Sequence, residues 1–532
     1  MKNLVSSTLA ALSLCTALPA FAARDFTPQP GTWVVSSELD GKPGRGLAID
    51  VQGNTLFMQV FNYEQNGDAT FHASQGPMDG NTMTAPLVRY RGGRSFGGEA
   101  REAVEDGSPG SVTVSFANGL QGTVQFPGEA PVAMERLVAM GPAFDAAYVS
   151  GAWWRQFNVV GLDEAGQVAK SWQLVMDGHS AERQVRLTGR TSSGLGHEQP
   201  QALGCTALST PDTYACRGRE DSLPTDGSAW IESATLRIVG ADVQGVVSTR
   251  AGEARQHYVL TGMAIVAADT SGFSAPSCAP AGQVYTQDAL GSCSKDRTIN
   301  PSNGTWIVAD ELTGKPGRGI ALDVQNGMAI AQVFNYLPDG RASFHMGSGE
   351  YTGSNQYAGE ASTLALNRYA GGRYFGGPAT SAALADSTGT MQLQFNNEPN
   401  RVEGTIQFPG EPPRRIVRLA LEPDTSSHHG LLGEWVAFFW PKSASRTYLH
   451  TFTLTRDLGD AASTADGSVR CQRQPHQVYR NFVACDWRRG EGADTEVWST
   501  WFTQQTNNRS AYAMQIRDRH GNLLGLGDIP LR

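Results

Sequence analysis

The sequence predicts an all-β protein, built as tandem antiparallel β-meander barrels or sandwiches in an A-B-A-B arrangement. Three observations carry this prediction. The stretch Gly31 to Tyr63 returns 273 positions later as Gly304 to Tyr336 in unbroken register, so the chain is a duplication. Inside that stretch Leu47, Ile49 and Val51 alternate with Ala48, Asp50 and Gln52, the period of two that marks a strand with one buried face. The composition, with 17% charged residues and 61 glycines, suits β-rich modules better than helical ones.

Each element of the repeated unit follows from local chemistry. Gly31-Thr32-Trp33-Val34-Val35 is a short β-prone run opened by a glycine, and Gly41-Lys42-Pro43-Gly44 is a turn between two such runs. Gly53-Asn54 and its counterpart Asn326-Gly327 suit a tight hairpin, so the run Leu56 to Tyr63 is expected to pair antiparallel with the one before it. Further strands are expected through Phe71 and His72, over Thr82 to Tyr90, Ser111 to Phe116, Gly122 to Phe126 and Val132 to Val138. About eight strands in so short a unit is what a small closed barrel needs, and closure removes exposed edges. On the run Phe57 to Tyr63 both faces are largely apolar, which points to a core on one side and a neighbouring domain or a cavity on the other.

Along the chain, residues 1–22 read as a secretory signal, with the basic Lys2, an apolar run from Leu9 to Leu18 and the small-residue ending Ala20-Phe21-Ala22. The first A unit is expected over 23–142, a B unit over 143–268, a Ser/Gly/Pro-rich linker over 269–300, the second A unit over 301–423 and the second B unit over 424–532. The B units share Gly151-Ala152-Trp153 and Gly433-Glu434-Trp435, a cysteine pair each, and the later Trp230 and Trp498. Six cysteines downstream of the signal fall as neighbours, Cys205 with Cys216, Cys278 with Cys293 and Cys471 with Cys485, and local disulfide pairing is the simplest connectivity. No Cys-x-x-Cys pair or suitably spaced histidine accompanies them, so no metal is expected. Export and oxidation place the protein in the periplasm or outside the cell, and no apolar run is long enough to span a membrane.

The pattern Gly31-x-Trp33, Pro43-Gly44-x-Gly46, Gln52-Gly53-x-x-Leu56-Phe57 and Phe61-x-Tyr63-x-x-x-Gly67-x-Ala69-x-Phe71 resembles a tryptophan-rich repeat module of exported proteobacterial proteins of unknown function. That resemblance implies an envelope location and β-structure. The units also resemble, more loosely, lipocalin-like and avidin-like barrels, which open with Gly-x-Trp and bring an arginine of the last strand over the indole. Carried over, the likeness implies pairing of Trp33 with Arg136 and of Trp306 with Arg418.

Polar residues retained in both A copies are Glu38/Glu311, Lys42/Lys315, Arg45/Arg318, Asp50/Asp323, Asn62/Asn335, His72/His345, Arg89/Arg368 and Arg94/Arg373. Lys42, Arg45 and Asp50 read as a solvated turn and strand face with weak local ion pairs. The segment Gly92-Gly93-Arg94-Ser95-Phe96-Gly97-Gly98 is the most distinctive local feature. Its glycines either permit a barrel corner or let backbone N–H groups approach an anionic ligand beside Arg94. The candidate ligand-binding residues are therefore Tyr63, His72, Arg94 and Phe96 with their twins Tyr336, His345, Arg373 and Phe375.

No nucleophile elbow, zinc-protease motif or dinucleotide fingerprint is present, so neither a catalytic residue nor a cofactor is expected. A net charge of -9 without a basic stripe disfavours nucleic acid as a partner. The leading functional expectation is an exported non-enzymatic binding protein of the bacterial envelope, taking a small molecule, glycan or envelope protein. Its alternatives are a structural or adhesive interaction protein, and a hydrolase or lyase on a β scaffold.

Overall fold

The computed structural model describes residues 24, 26–139, 154–164, 168–177, 184–190, 201–209, 213–219, 229–239, 242–264, 301–325, 328–351, 360–395, 403–421, 431–441, 448–474, 482–489, 496–504, 510–517 and 523–530. The expected signal peptide, the linker 269–300 with its Cys278–Cys293 pair, and the turn Asn326-Gly327 lie outside the described residues. Among those described, every regular element longer than a single 3-10 turn is a strand, and all strand pairs are antiparallel. The all-β meander architecture expected from the sequence is the observed one.

In the first A unit, Gly31–Val35, Gly46–Gln52, Thr55–Tyr63, Ala69–Pro77 and Thr82–Arg91 follow one another, then Gly110–Phe116, Gln121–Gln125 and Val132–Arg136. The ring closes where Trp33 faces Arg136 on the last strand, and where His72 faces Arg89 between the fourth and fifth. Gln52 opposes Thr55, so Gly53-Asn54 is the two-residue hairpin loop, and Gly53 takes the positive φ of +59° that such a turn requires. Trp33, Leu47, Ile49, Leu56, Met58 and Val60 fill the barrel. The second A unit repeats the plan as a closed barrel from Gly304–Val308 to Arg414–Arg418.

The first B segment closes into its own eight-stranded barrel, from Trp154–Leu162 to Ala254–Ala264. The last forms a nine-stranded sheet whose ends are Tyr448–Leu454 and Arg456–Asp457. In each B sheet a disulfide links residues directly opposite on neighbouring strands, Cys205 with Cys216 and Cys471 with Cys485.

The Gly-x-Trp motif has a physical cause. Gly31 and Gly304 adopt φ of +126° and +119°, and a Cβ on either would lie 2.2 or 2.3 Å from the guanidinium of Arg136 or Arg418. Two residues on, the buried Trp33 and Trp306 indoles each donate to the carbonyl four residues back, Gln29 and Ser302, at 2.9 Å. The last sheet uses the same device: Gly433 has φ +127° and Trp435 donates to Leu431 at 2.7 Å. The sheet of the second B unit thus shares the Gly-x-Trp device of the A units, while Gly151-Ala152-Trp153, the stretch expected to match it, lies outside the described residues.

The two A units are packed against each other across an internal pseudo-twofold axis. Strand Gly46–Gln52 is consequently buried on both faces, and so is nearly all of Thr55–Tyr63. Phe61, Tyr63 and Phe71 turn away from their own barrel and join Phe334, Tyr336 and Phe344 in one shared apolar cluster. Phe61 lies 5.5 Å from Phe344, and Phe71 lies 5.4 Å from Phe334, ring to ring. The second apolar face of that strand is thus an interface between domains.

Candidate functional site

The eight candidate ligand-binding residues converge, and what they converge on is the junction between the A units. The loop Gly92–Gly98 leaves its own barrel and lies on the second unit. Gly92 N–H donates to the Gly340 carbonyl at 2.8 Å, and Gly371 N–H donates to Gly67 at 2.8 Å from the other side. Gly93 must be a glycine here, because a Cβ would sit 2.1 Å from the Tyr336 ring; at Gly372 it would sit 2.0 Å from Tyr63. The loop is neither a barrel corner nor an open cradle.

Beyond the glycines, Phe96 packs on His345 and Phe408 of the second unit, with ring centroids 5.0 and 5.3 Å away. Phe375 does the same to His72 and Phe126, at 5.2 and 5.3 Å. The anion that the loop was expected to bind is a protein carboxylate. Gly97 N–H donates to Glu411 at 3.0 Å while Arg94 donates to Glu311 at 3.0 Å; Gly376 N–H donates to Glu129 at 2.8 Å while Arg373 donates to Glu38 at 3.1 Å.

Each of these ion clusters holds two carboxylates between an arginine of their own unit and one of the other unit, and Arg414 adds a third arginine beside Glu311 and Glu411 in the second cluster. Arg45 donates to Glu38 and Glu129, both at 2.6 Å, with its guanidinium 4.5 Å above the Phe126 ring. Arg318 binds Glu411 at 2.6 Å and Glu311 at 2.5 Å, and covers Phe408 at 4.6 Å. Burial alone would lower the Arg45 pKa, but its bonds to Glu129 and Glu38 outweigh that and raise it. Burial likewise works to raise Glu129, and the Arg45 hydrogen bond, the Gly376 amide and the two guanidinium charges together override it, holding the carboxyl below its usual range. Glu411 is held down in the same way by Arg318.

The histidines are structural. His72 Nδ1 is 3.2 Å from the Asn62 side-chain oxygen and His345 Nδ1 is 3.0 Å from that of Asn335. Burial, reinforced by the nearby Arg89 guanidinium, pushes His72 down to about 4, and burial with Arg368 does the same to His345. Both imidazoles are neutral at physiological pH. Tyr63 and Tyr336 are 1% exposed, burial pushes both phenols up, and neither hydroxyl finds a hydrogen-bond partner among the described residues.

The expectation of a solvated turn holds for Lys42, which is exposed, and fails for Arg45 and Asp50, which are 2% and 0% exposed. Asp50 reaches across the axis. Its carboxylate takes both terminal nitrogens of Arg418, one at 2.6 Å, and the Thr305 N–H at 3.0 Å. Asp323 mirrors this with Arg136 at 2.6 Å and Thr32 N–H at 3.0 Å. Arg136 does face Trp33 in the strand register, but its guanidinium goes to Asp323 and to the carbonyls of Pro30 and Thr32. Gln52 and Gln325 complete the seam, donating to Leu419 and Leu137 at 2.8 and 2.9 Å. An acid flanked by Ile49 and Val51, repeated in the second copy between Leu322 and Val324, was the signal in the sequence for this buried pair.

No family model and no curated protein matches the chain. Among solved structures it is similar to the crystal structure of the isotype 1 transferrin binding protein B from serogroup B Neisseria meningitidis, at 8% identity and a TM-score of 0.16, covering 94% of this chain and 88% of that one. A TM-score of 0.16 carries no argument about function.

Proposed function

We propose that the protein is an exported, non-enzymatic interaction protein of the cell envelope in which the paired A units form a rigid frame and a macromolecular partner is met elsewhere. One observation carries this reading: both copies of the Arg94/Phe96 loop are seated in the opposite unit, where their cation, aromatic ring and amides are already satisfied. A small molecule or glycan would have to displace the seated loops to reach His72, Arg94 or Tyr63, which lie in contacts between the A units. Two cross-strand disulfides fit an oxidising compartment. The outer wall of the first B barrel offers one place for such a partner, where Val246 and Val259 lie directly opposite each other and are 47% and 55% exposed.

The test is native mass spectrometry of the protein isolated from its own host. The reading expects the bare polypeptide mass under gentle desolvation, and cross-links to an envelope protein that Val246→Asp removes. A stoichiometric small-molecule adduct that disappears in Arg94→Ala would overturn it and return the ligand role to these residues.

A further inference from the structure

Asp68 and Arg341 are the same position of the two copies, and they touch each other across the pseudo-twofold axis. A residue that meets its own counterpart lies beside the axis, where an identical pair of units would set like against like. The polar contacts that cross deeper in the seam have interchangeable partners. Asp50 and Asp323, Arg136 and Arg418, Arg94 and Arg373, Glu129 and Glu411 are identical residues, so those contacts would form equally well if a first A unit met the first A unit of another chain. The contact at 68 and 341 would not: it would become aspartate against aspartate and arginine against arginine.

A second position breaks the symmetry in the same sense. Glu102 accepts from Lys315 at 3.0 Å and from Thr313, whereas its counterpart Ser381 donates to Asp40 at 2.5 Å. Asp40 is the counterpart of Thr313 and Lys42 that of Lys315, so a first unit facing another first unit would keep the lysine beside Glu102 but replace the threonine with the carboxylate of Asp40.

We propose that Asp68 and Arg341, seconded by Glu102, are the residues that make each chain close on itself and keep a second copy of this chain out of the seam. The buried contacts supply the adhesion and the rim charges assign the partner, which is the division of labour expected of interface electrostatics. Both side chains are accessible, at 57% for Arg341 and 45% for Asp68, so changing them leaves the barrels intact.

The test uses the full chain, unfolded with its disulfides intact and refolded at a series of rising concentrations, with the dimer-to-monomer ratio read by light scattering after size exclusion. Four proteins are compared: the natural chain, Arg341→Asp, the neutral double variant Asp68→Asn with Arg341→Asn, and the charge swap Asp68→Arg with Arg341→Asp. An exchanged dimer that still pairs unlike units carries the same charges as the monomer, so any change in the ratio reports pairing of like units. The ratio is expected to rise about tenfold in the first two variants and to return to the natural value in the charge swap, as a rim charge effect would have it. An equal ratio in all four proteins, including no dimer in any, overturns the proposal, as does a rise in the charge swap that matches Arg341→Asp. Circular dichroism of each refolded variant confirms that the sheets have formed.

Discussion

The carboxylate of Asp50 and the guanidinium of Arg418, 368 residues apart, form a bidentate pair that excludes water from both side chains, which are 0% and 1% exposed. Its mirror image joins Asp323 to Arg136. A buried ion pair is weak evidence of net stability, because desolvation offsets most of the Coulomb gain. It is strong evidence of fixed register, since any slip between the units strands a charge. The pairs therefore explain how two barrels can share a flat aromatic seam and still hold one arrangement.

Seating of the loop aromatic implies a stability role for Phe96. Phe96→Ala removes a ring packed on His345 and Phe408 and is expected to cost about 2–3 kcal/mol, less than a fully buried phenylalanine because one side of the ring remains accessible. Phe375→Ala should cost the same within error. Denaturant titration followed by intrinsic fluorescence checks both, and a ligand-binding role alone would leave stability unchanged.

The orphaned phenols give a prediction of opposite sign. Tyr63→Phe and Tyr336→Phe each delete a buried hydroxyl that has no partner among the described residues, and are expected to leave stability unchanged or raise it by about 1 kcal/mol. Thermal unfolding measures this. A marked loss would show that the hydroxyls are bonded.

The histidines make stability depend on pH. Their folded pKa of about 4 lies below the ordinary 6.5, so the unfolded chain takes up protons first as the solution is acidified. Stability is thus full above about pH 6.5, falls progressively between pH 6.5 and 4, and is not further reduced by these groups below that, each withdrawing on the order of 2–3 kcal/mol. In the double variant His72→Gln with His345→Gln this slope should flatten between those limits.

Much of this was legible in the sequence, and the unread part has a common cause. Strand periodicity, the Gly53-Asn54 turn, the neighbouring pairs Cys205/Cys216 and Cys471/Cys485 and the duplication are local or repeated signals, and each maps onto an observed strand, hairpin, disulfide or barrel. The doubly apolar strand Thr55–Tyr63 signalled a covered outer face, which the second A unit supplies. Arg45 and Asp50 read as solvated because their partners are distant in sequence: Arg45 is closed in by Glu38, Glu129 and Phe126 of its own unit, and the Ala48-Asp50-Gln52 face, which a single unit leaves in water, is covered by the partner unit. For the same reason Arg94, Phe96, His72 and Tyr63 look like a ligand set. Their chemistry is that of a recognition site, and the ligand recognised is the other half of the chain.

Reduction tests the B sheets separately. Cys205–Cys216 and Cys471–Cys485 close short loops, and removing either is expected to cost about 3 kcal/mol in the chain-entropy model while leaving the A seam intact. Limited proteolysis after mild reduction should therefore cut within the B segments before the A units.

The central claim, that the two A units bind each other through residues repeated in both, is tested most directly by a double-mutant cycle between Asp50 and Arg418. Asp50→Asn, Arg418→Gln and their combination are compared by denaturant-dependent hydrogen exchange of the strand Gly304–Val308, whose Thr305 amide donates to Asp50. Each single change is expected to cost about 3 kcal/mol or more by stranding a charge, with the double variant recovering at least about 2 kcal/mol of their sum. Strictly additive losses, or no change in exchange on the strand Gly304–Val308 when Asp50 is altered, would contradict the account.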